Sequence, residues 1–387
     1  MIAHLSNIVR HPAARATGLI FSVSGVVLGT WAALIPHVKA KFGLDEAELG
    51  LLLLTLPAGV TLMNPFTVPI IHRLGAVRAT LWSLGITGLL FILPIASPSL
   101  WLLVPSLFLA GAAFSCLNVA MNTCASLLEQ QAGLRIFSSC HGLWSVGAML
   151  GSALAGMATG WGVPPVAYLC LLAMLEIASV FLLKKALYTV PEEQPANEGP
   201  VKKSAGFIKP NKALWVLILI SLCTNLTEGS MTDWSAVYMR EVVAAPEALV
   251  GWGFAAYAFF MAGGRFFGDA LLLHFTSKQV LRVGGCTAAA GFALSILWPG
   301  LAGALVGFSL VGAGVSLGAP ILYAAASKVP GMARGAGLAT MNTFAMIGFM
   351  GGPAFIGFLA KAFSLPTAFG VIAGFALFWA LWAGRIR

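Results

Sequence analysis

Acidic residues are what this chain most lacks. Only 13 of its 387 residues are Asp or Glu, and all charged residues together make up 9%. Hydrophobic residues reach 59%, and the mean hydropathy is +0.92. So little polar surface cannot coat a water-soluble globule of this length. The six cysteines contain no CxxC pair and fall within or at the ends of apolar stretches, so they act as small packing residues and suggest neither a disulfide framework nor a metal site. There is no nucleophile elbow and no phosphate-binding loop, and the one histidine well inside an apolar stretch has no metal-ligand companion at the usual spacing. An enzyme is therefore disfavoured, and no cofactor is implied.

Long apolar runs are what the chain does have. Each is long enough to cross roughly 30 Å of hydrocarbon as a helix, and about twelve occur. The expected spans are 16–37, 47–71, 77–96, 99–126, 136–161, 164–183, 213–239, 248–272, 281–298, 300–326, 334–360 and 364–384. The first, GLIFSVSGVVLGTWAALI, is longer than a usual signal-peptide core and reads as a retained span. The fold class is all-α integral membrane.

Lys and Arg set the orientation. With the N-terminus inside, Arg10, Arg15, Arg73, Arg78, Arg135, the Lys184 to Lys212 cluster, Lys278, Arg282, Lys328, Arg334, Arg385 and Arg387 share one side, and only Lys39, Lys41, Arg240 and Lys361 fall on the other. Both termini are expected in the cytoplasm of a bacterial cell, with the spans in its inner membrane. The net charge of +9 is scattered over short loops, which does not suit nucleic-acid binding.

The stretch KKALYTVPEEQPANEGPVKKSAGFIKPNK (184–212) breaks the apolar pattern and reads as a cytoplasmic linker between six spans (1–183) and six more (213–387). An internal repeat appears at a shift of roughly 200 residues. Gly147, Gly151 and Gly156 align with Gly348, Gly352 and Gly357, and Gly111, Ala112 and Ser115 align with Gly312, Ala313 and Ser316. Two parallel six-helix repeats build a central cavity in one class of transporter, which disfavours a channel, and small residues at four-residue spacing let helices approach and slide. Gly147 and Gly348 are the expected gliding points.

These features resemble the major facilitator superfamily over the whole chain. PIIHRLGAVRA (69–79) is similar to its signature loop, with Arg73, Gly75 and Arg78 in the expected style and His72 in place of the usual Asp. In the matching loop of the second half, GGRFFGD (263–269), Arg265 and Asp269 stand four apart and could pair on one helix face. FSSCHGLWSVGAMLGSALAG and the acidic seventh span resemble bacterial fucose-permease-like and rhizopine-transport-like members. The resemblance implies two pseudo-symmetric bundles and secondary transport of a sugar-like or polyol-like small molecule, coupled to protons. The first and fourth spans depart from fucose permeases in offering Ser22, Ser24, Asn118 and Asn122 where those carry carboxylates.

Ionisable groups at membrane depth are costly and usually face a cavity or a partner. Glu228 lies about 15 residues into the seventh span, or roughly 22 Å, with Asn225 and Thr232 on its stripe. It reads either as a proton-carrying or substrate-binding carboxylate or as a neutral acid in an interhelical hydrogen bond. Asp233 points about 140° away and reads as a latch or a substrate contact. Trp234 beside it reads as a sugar-stacking ring or an interfacial anchor. His141, with Ser138 and Ser145 on its face, could relay protons or bind hydroxyls, or join helices; its repeat mate is Asn342. Asn118 and Asn122 could complete that cluster. Glu176 reads as a structural partner or a secondary proton site. Trp31, Trp144, Tyr257 and Tyr323 add aromatic surface. No cation is expected deep in the cavity, since Arg265 and Arg334 sit near the inner edge of their spans, so a neutral or cationic solute fits better than an anion. Export of lipophilic cations is the rival to solute uptake. The chain is expected to act as a monomer.

Overall fold

The computed structural model describes residues 3–191, 210–329, 332 and 336–386, and among these the side chains of all but residues 3–6, 269 and 339. Most of the linker, and Arg334, lie outside the described residues. In a bilayer every backbone N–H and C=O must be bonded within the protein, and the helix does this without neighbours. Among the described residues the chain is accordingly all helix and connecting turns.

The first half runs α1 (Ala3–Arg10), α2 (Pro12–Phe42), α3 (Glu46–Leu53), α4 (Thr55–Leu74), α5 (Ala76–Ala96), α6 (Leu100–Ala132), α7 (Phe137–Gly160) and α8 (Pro165–Leu187). The second runs α9 (Lys212–Glu241), α10 (Trp252–His274), α11 (Ser277–Leu297), α12 (Leu301–Val315), α13 (Gly318–Ala326), α14 (Ala336–Ala362) and α15 (Leu365–Trp382). Eleven crossings among the described residues are long and apolar enough to span a membrane. With α10, 23 residues long and carrying Arg265, the expected twelve are accounted for. The last span before the linker continues through Lys184 and Lys185 to Leu187.

Two expected spans are broken helices. The second divides at Leu54 and the tenth at Ser316 and Leu317. Each break lies three to four residues before a proline, Pro57 and Pro320, whose missing N–H and bulky ring disfavour the preceding turn. The signature-like loop turns at Gly75, whose φ of 80° only glycine adopts without strain; Arg73 and Arg78 flank it, exposed.

Within the first half, α2 and α7 cross at backbone contact. Added Cβ atoms on Gly147 and Gly151 would collide with the carbonyl oxygens of Ser22 and Val26. Between the halves the packing repeats itself. A Cβ on Gly156 would stand 2.9 Å from the amide nitrogen of Gly251, and one on Gly357 would stand 3.1 Å from the Cα of Gly50. Gly156 and Gly357 are repeat mates, as are Gly50 and Gly251, so α7 meets the second half as α14 meets the first. The two bundles are pseudo-symmetric. Gly348 has a different setting from its mate Gly147, since its nearest neighbour is the flexible Cδ2 of Leu222 at 2.6 Å.

That difference predicts unequal tolerance. Gly147→Ala should abolish a monodisperse peak in size-exclusion chromatography, because backbone cannot move aside as a side chain can, while Gly348→Ala should retain it. Equal behaviour of the two variants would contradict the helix-contact assignment.

Candidate functional site

A cavity of about 770 Å³ lies between the halves. The alternation of crossings puts the residues at its mouth, Glu129, Arg135 and Phe137, on the face that also carries the ends of the linker. Glu129 closes the turn from α6 to α7: its Oε1 accepts the backbone N–H groups of Ile136 and Phe137 at 2.8 and 2.9 Å. A carboxylate at a helix N-terminus satisfies amides that have no intrahelical partner.

The deep end is polar. Glu228, about 24 Å along α9 from Lys212 at 1.5 Å per residue, faces Arg265 of α10, with Nη2 3.5 Å from Oε1. The guanidinium also reaches the other half, donating through Nη1 to Ser145 Oγ at 2.9 Å. Ser138 Oγ donates to the Arg265 carbonyl at 2.9 Å. At 3.5 Å the ion pair is longer than the 2.7–2.9 Å usual for charged hydrogen bonds, whereas the Ser145 contact is at hydrogen-bond distance.

Around the pair stand Asn118, His141, Trp144, Asn225 and Tyr323. The imidazole of His141 sits between Phe21 and Phe137, with ring centroids 5.3 and 5.0 Å away. Asn225 donates back to the Ser221 carbonyl at 2.7 Å. Tyr323 donates to Asn342 Oδ1 at 3.3 Å, so the repeat mate of His141 holds a cavity tyrosine. The broken tenth span contributes Leu317, Ala319 and Pro320 to the wall.

At the opposite face the halves are sealed. Lys39, 8% exposed, places its ammonium 2.7 Å from Glu241 of the second half and 2.9 Å from Glu46 of its own. Arg240 pairs with Glu247 at 3.2 Å, repeating the Lys39–Glu46 bridge in the second half. Asp45 caps α3 through Oδ1, while its Oδ2 receives Lys361 of α14 at 2.7 Å.

Several expected residues stand elsewhere. Arg265 is not at the inner edge but in the cavity, and it supplies Glu228 with a cation from another helix. The expected pairing with Asp269 rests on a side chain outside the described residues. Asn122 bonds to Asn118 at 2.8 Å and does not line the cavity. Asp233 does not line it either. Trp234 is 0% exposed and serves neither as an interfacial anchor nor as a cavity ring. Trp31 and Tyr257 are likewise core residues, Tyr257 within electrostatic reach of Glu228. Glu176, 1% exposed, packs against Gly88 of α5, and among the described residues its carboxyl oxygens have no hydrogen-bond partner. Sequence reasoning missed Glu129 and Lys39. A sign for Glu129 was available in its place one loop before an α7 N-terminus that has no capping side chain of its own.

Comparison with known proteins agrees with this architecture. The family model described as Major Facilitator Superfamily matches residues 17–244 and 234–386. An uncharacterized MFS-type transporter of Yersinia pestis is 32% identical over 360 residues, covering 92% of this chain and 91% of that protein. The membrane protein MosC of Rhizobium meliloti is 30% identical over 353 residues, covering 91% and 85%. Among solved structures, the E. coli fucose:proton symporter FucP aligns with TM-score 0.65 at 17% identity over 97% of this chain and 98% of its own. The nucleoside transporter NupG aligns with TM-score 0.74 at 11% identity over 96% and 98%. At these identities the structures speak for the fold alone.

Removing the Lys39 ammonium leaves Glu46 and Glu241 facing each other, so Lys39→Met should cost about 2 kcal/mol, read as a lower Tm of the detergent-solubilised protein. The Asp45 bridge should resist acid. The hydrogen bond from Lys361, with that of the Glu48 amide, holds the Asp45 carboxyl below its ordinary value of 3.8. Its contribution is therefore complete above that value and fades only as pH falls through the lowered one. The Tm difference between wild type and Asp45→Asn should stay constant from pH 7 to pH 5; a difference that vanishes over that range contradicts the bridge.

Proposed function

Since the chain belongs to the major facilitator superfamily, we propose that this multi-pass membrane transporter moves a small polar solute by alternating access, with Glu228 carrying a coupled proton. The observation that carries the reading is the contrast between the two ends of the interface. One face is sealed by Lys39, Asp45 and the glycine contacts, and the other opens on a cavity whose floor holds an acid and a base.

In this reading the bundles at 1–183 and 213–387 rock about the cavity and the 184–212 linker joins them. Breaking Lys39–Glu241 and Asp45–Lys361 opens the sealed face, while the mouth beside Glu129 and Arg135 closes. The protein works as a monomer in the bacterial inner membrane with both termini in the cytoplasm, as its Lys and Arg distribution supports. The cavity mouth then faces the cytoplasm. Asn118, Asn225 and Tyr323 offer hydrogen bonds of the kind that hydroxyl groups take, and His141 stands beside them. Export of lipophilic cations is less well supported, because such a solute would set its charge against Arg265.

Glu228→Gln keeps the side chain's shape and removes its titration. In proteoliposomes it should abolish accumulation against a gradient while leaving solute exchange measurable. Uphill accumulation with unchanged pH dependence would make the carboxylate structural.

A further inference from the structure

We infer that the solute carries a single negative charge, that of a hydroxylated carboxylic acid, which takes the place of Glu228 on Arg265 when Glu228 is protonated. The inference rests on the proton-coupling role proposed above and adds the class of solute.

The charges facing the pair are few. On α10 stand Arg265 itself and Tyr257; on α13, Tyr323; on α7, His141, within electrostatic reach of Arg265. Glu129 and Arg135 lie at the mouth, the former bonded to the α7 amides. Among the described residues α2, α6 and α14 bring no acid or base to the deep end; they bring Phe21, Asn118, and Asn342 with Phe349. Among the described side chains at that depth, one carboxylate thus balances one guanidinium.

Alternating access requires a state in which both faces are closed and bulk water is excluded. A charge without a partner is then costly, and breaking a buried pair is far worse than never burying it. If Glu228 takes a proton and the solute is neutral, Arg265 is stranded: Ser145 is a neutral acceptor and cannot compensate it. If the solute is a monoanion, the guanidinium is paired again, and its planar donors suit a carboxylate. With Glu228 ionised, the same anion would add a second negative charge to one cation. Proton and anion therefore load together and leave together, without net charge movement. Through the exchange the 2.9 Å bond to Ser145 can keep Arg265 in position while its 3.5 Å contact with Glu228 is given up.

The test uses the purified full-length protein in thermal-shift titrations at pH 7.5 and pH 5.5 with matched probes: gluconate against sorbitol, and galacturonate against galactose. At least one carboxylate should raise the Tm and its neutral match should not, with an apparent affinity gain of up to about tenfold per pH unit on acidification for one linked proton. Glu228→Gln should bind the carboxylate with that pH dependence removed. Arg265→Gln should lose the response, and Arg265→Lys, which keeps the charge, should retain part of it. The inference is overturned if no carboxylate shifts the Tm, if neutral probes match the carboxylates, or if Arg265→Gln responds like wild type. Neutral probes binding with a pH dependence that Glu228→Gln removes would leave proton coupling standing and refute the anion. Carboxylates binding with a pH dependence that survives in Glu228→Gln would refute the coupling role and leave Arg265 as the anion site.

Discussion

A carboxylate and a guanidinium held 3.5 Å apart in the middle of a bilayer constrain everything around them. Neither could stand there alone, since an unpaired charge at that depth costs several kcal/mol. Each requires the other, a cavity to moderate its desolvation, and polar neighbours to take up its remaining hydrogen-bonding capacity. The cavity with Asn118, Asn225 and His141 at its deep end, and Ser145 reaching in from the other half, meets those requirements. Because Arg265 bonds to Ser145 of α7 while Glu228 belongs to α9, the pair also links the two bundles at the cavity floor.

The two ends of the interface obey different rules. The sealed face is nearly symmetric: Lys39 and Arg240, Glu46 and Glu247, Gly50 and Gly251, and Gly156 and Gly357 are repeat mates in matching positions. Such a seal follows from duplicated helices meeting across a pseudo-twofold axis. The cavity floor is not symmetric. Arg265 corresponds to Asn64, Glu228 to Val27 and His141 to Asn342, so the ion pair belongs to the second half and the imidazole to the first. In the proposed cycle the symmetric contacts are where the halves rock, and the unequal floor is where the solute is selected.

Sequence alone reached the spans, the two halves and the isolated Glu228, because apolar run length, repeat spacing and the rarity of acids are local properties of the chain. Besides Glu228 and Arg265, five of the residues it singled out, Asn118, His141, Trp144, Asn225 and Tyr323, do line the cavity. It did not reach the partner of Glu228. A helical spacing of four suggested Asp269 for Arg265, whereas the described contacts of that guanidinium come from α9 and α7, at sequence separations no periodicity encodes. Trp234, read as a sugar-stacking ring or an interfacial anchor, is instead packed inside the bundle on a buried face of α9, a tertiary contact that position along the span does not encode. Lys39 looked like a loop charge until α2 proved to run on to Phe42 and to carry it between two carboxylates.

The account stands or falls on whether Glu228 and Arg265 act as one unit, and a double-mutant cycle measures that directly. Glu228→Gln, Arg265→Gln and the double variant would be purified alongside wild type and their thermal unfolding compared under one set of conditions. Each single change strands one charge, so each should lower stability by about 2 kcal/mol, while the double change strands neither and should recover most of the loss. Additive losses in the double variant would show that the two side chains do not depend on each other, and would contradict the account.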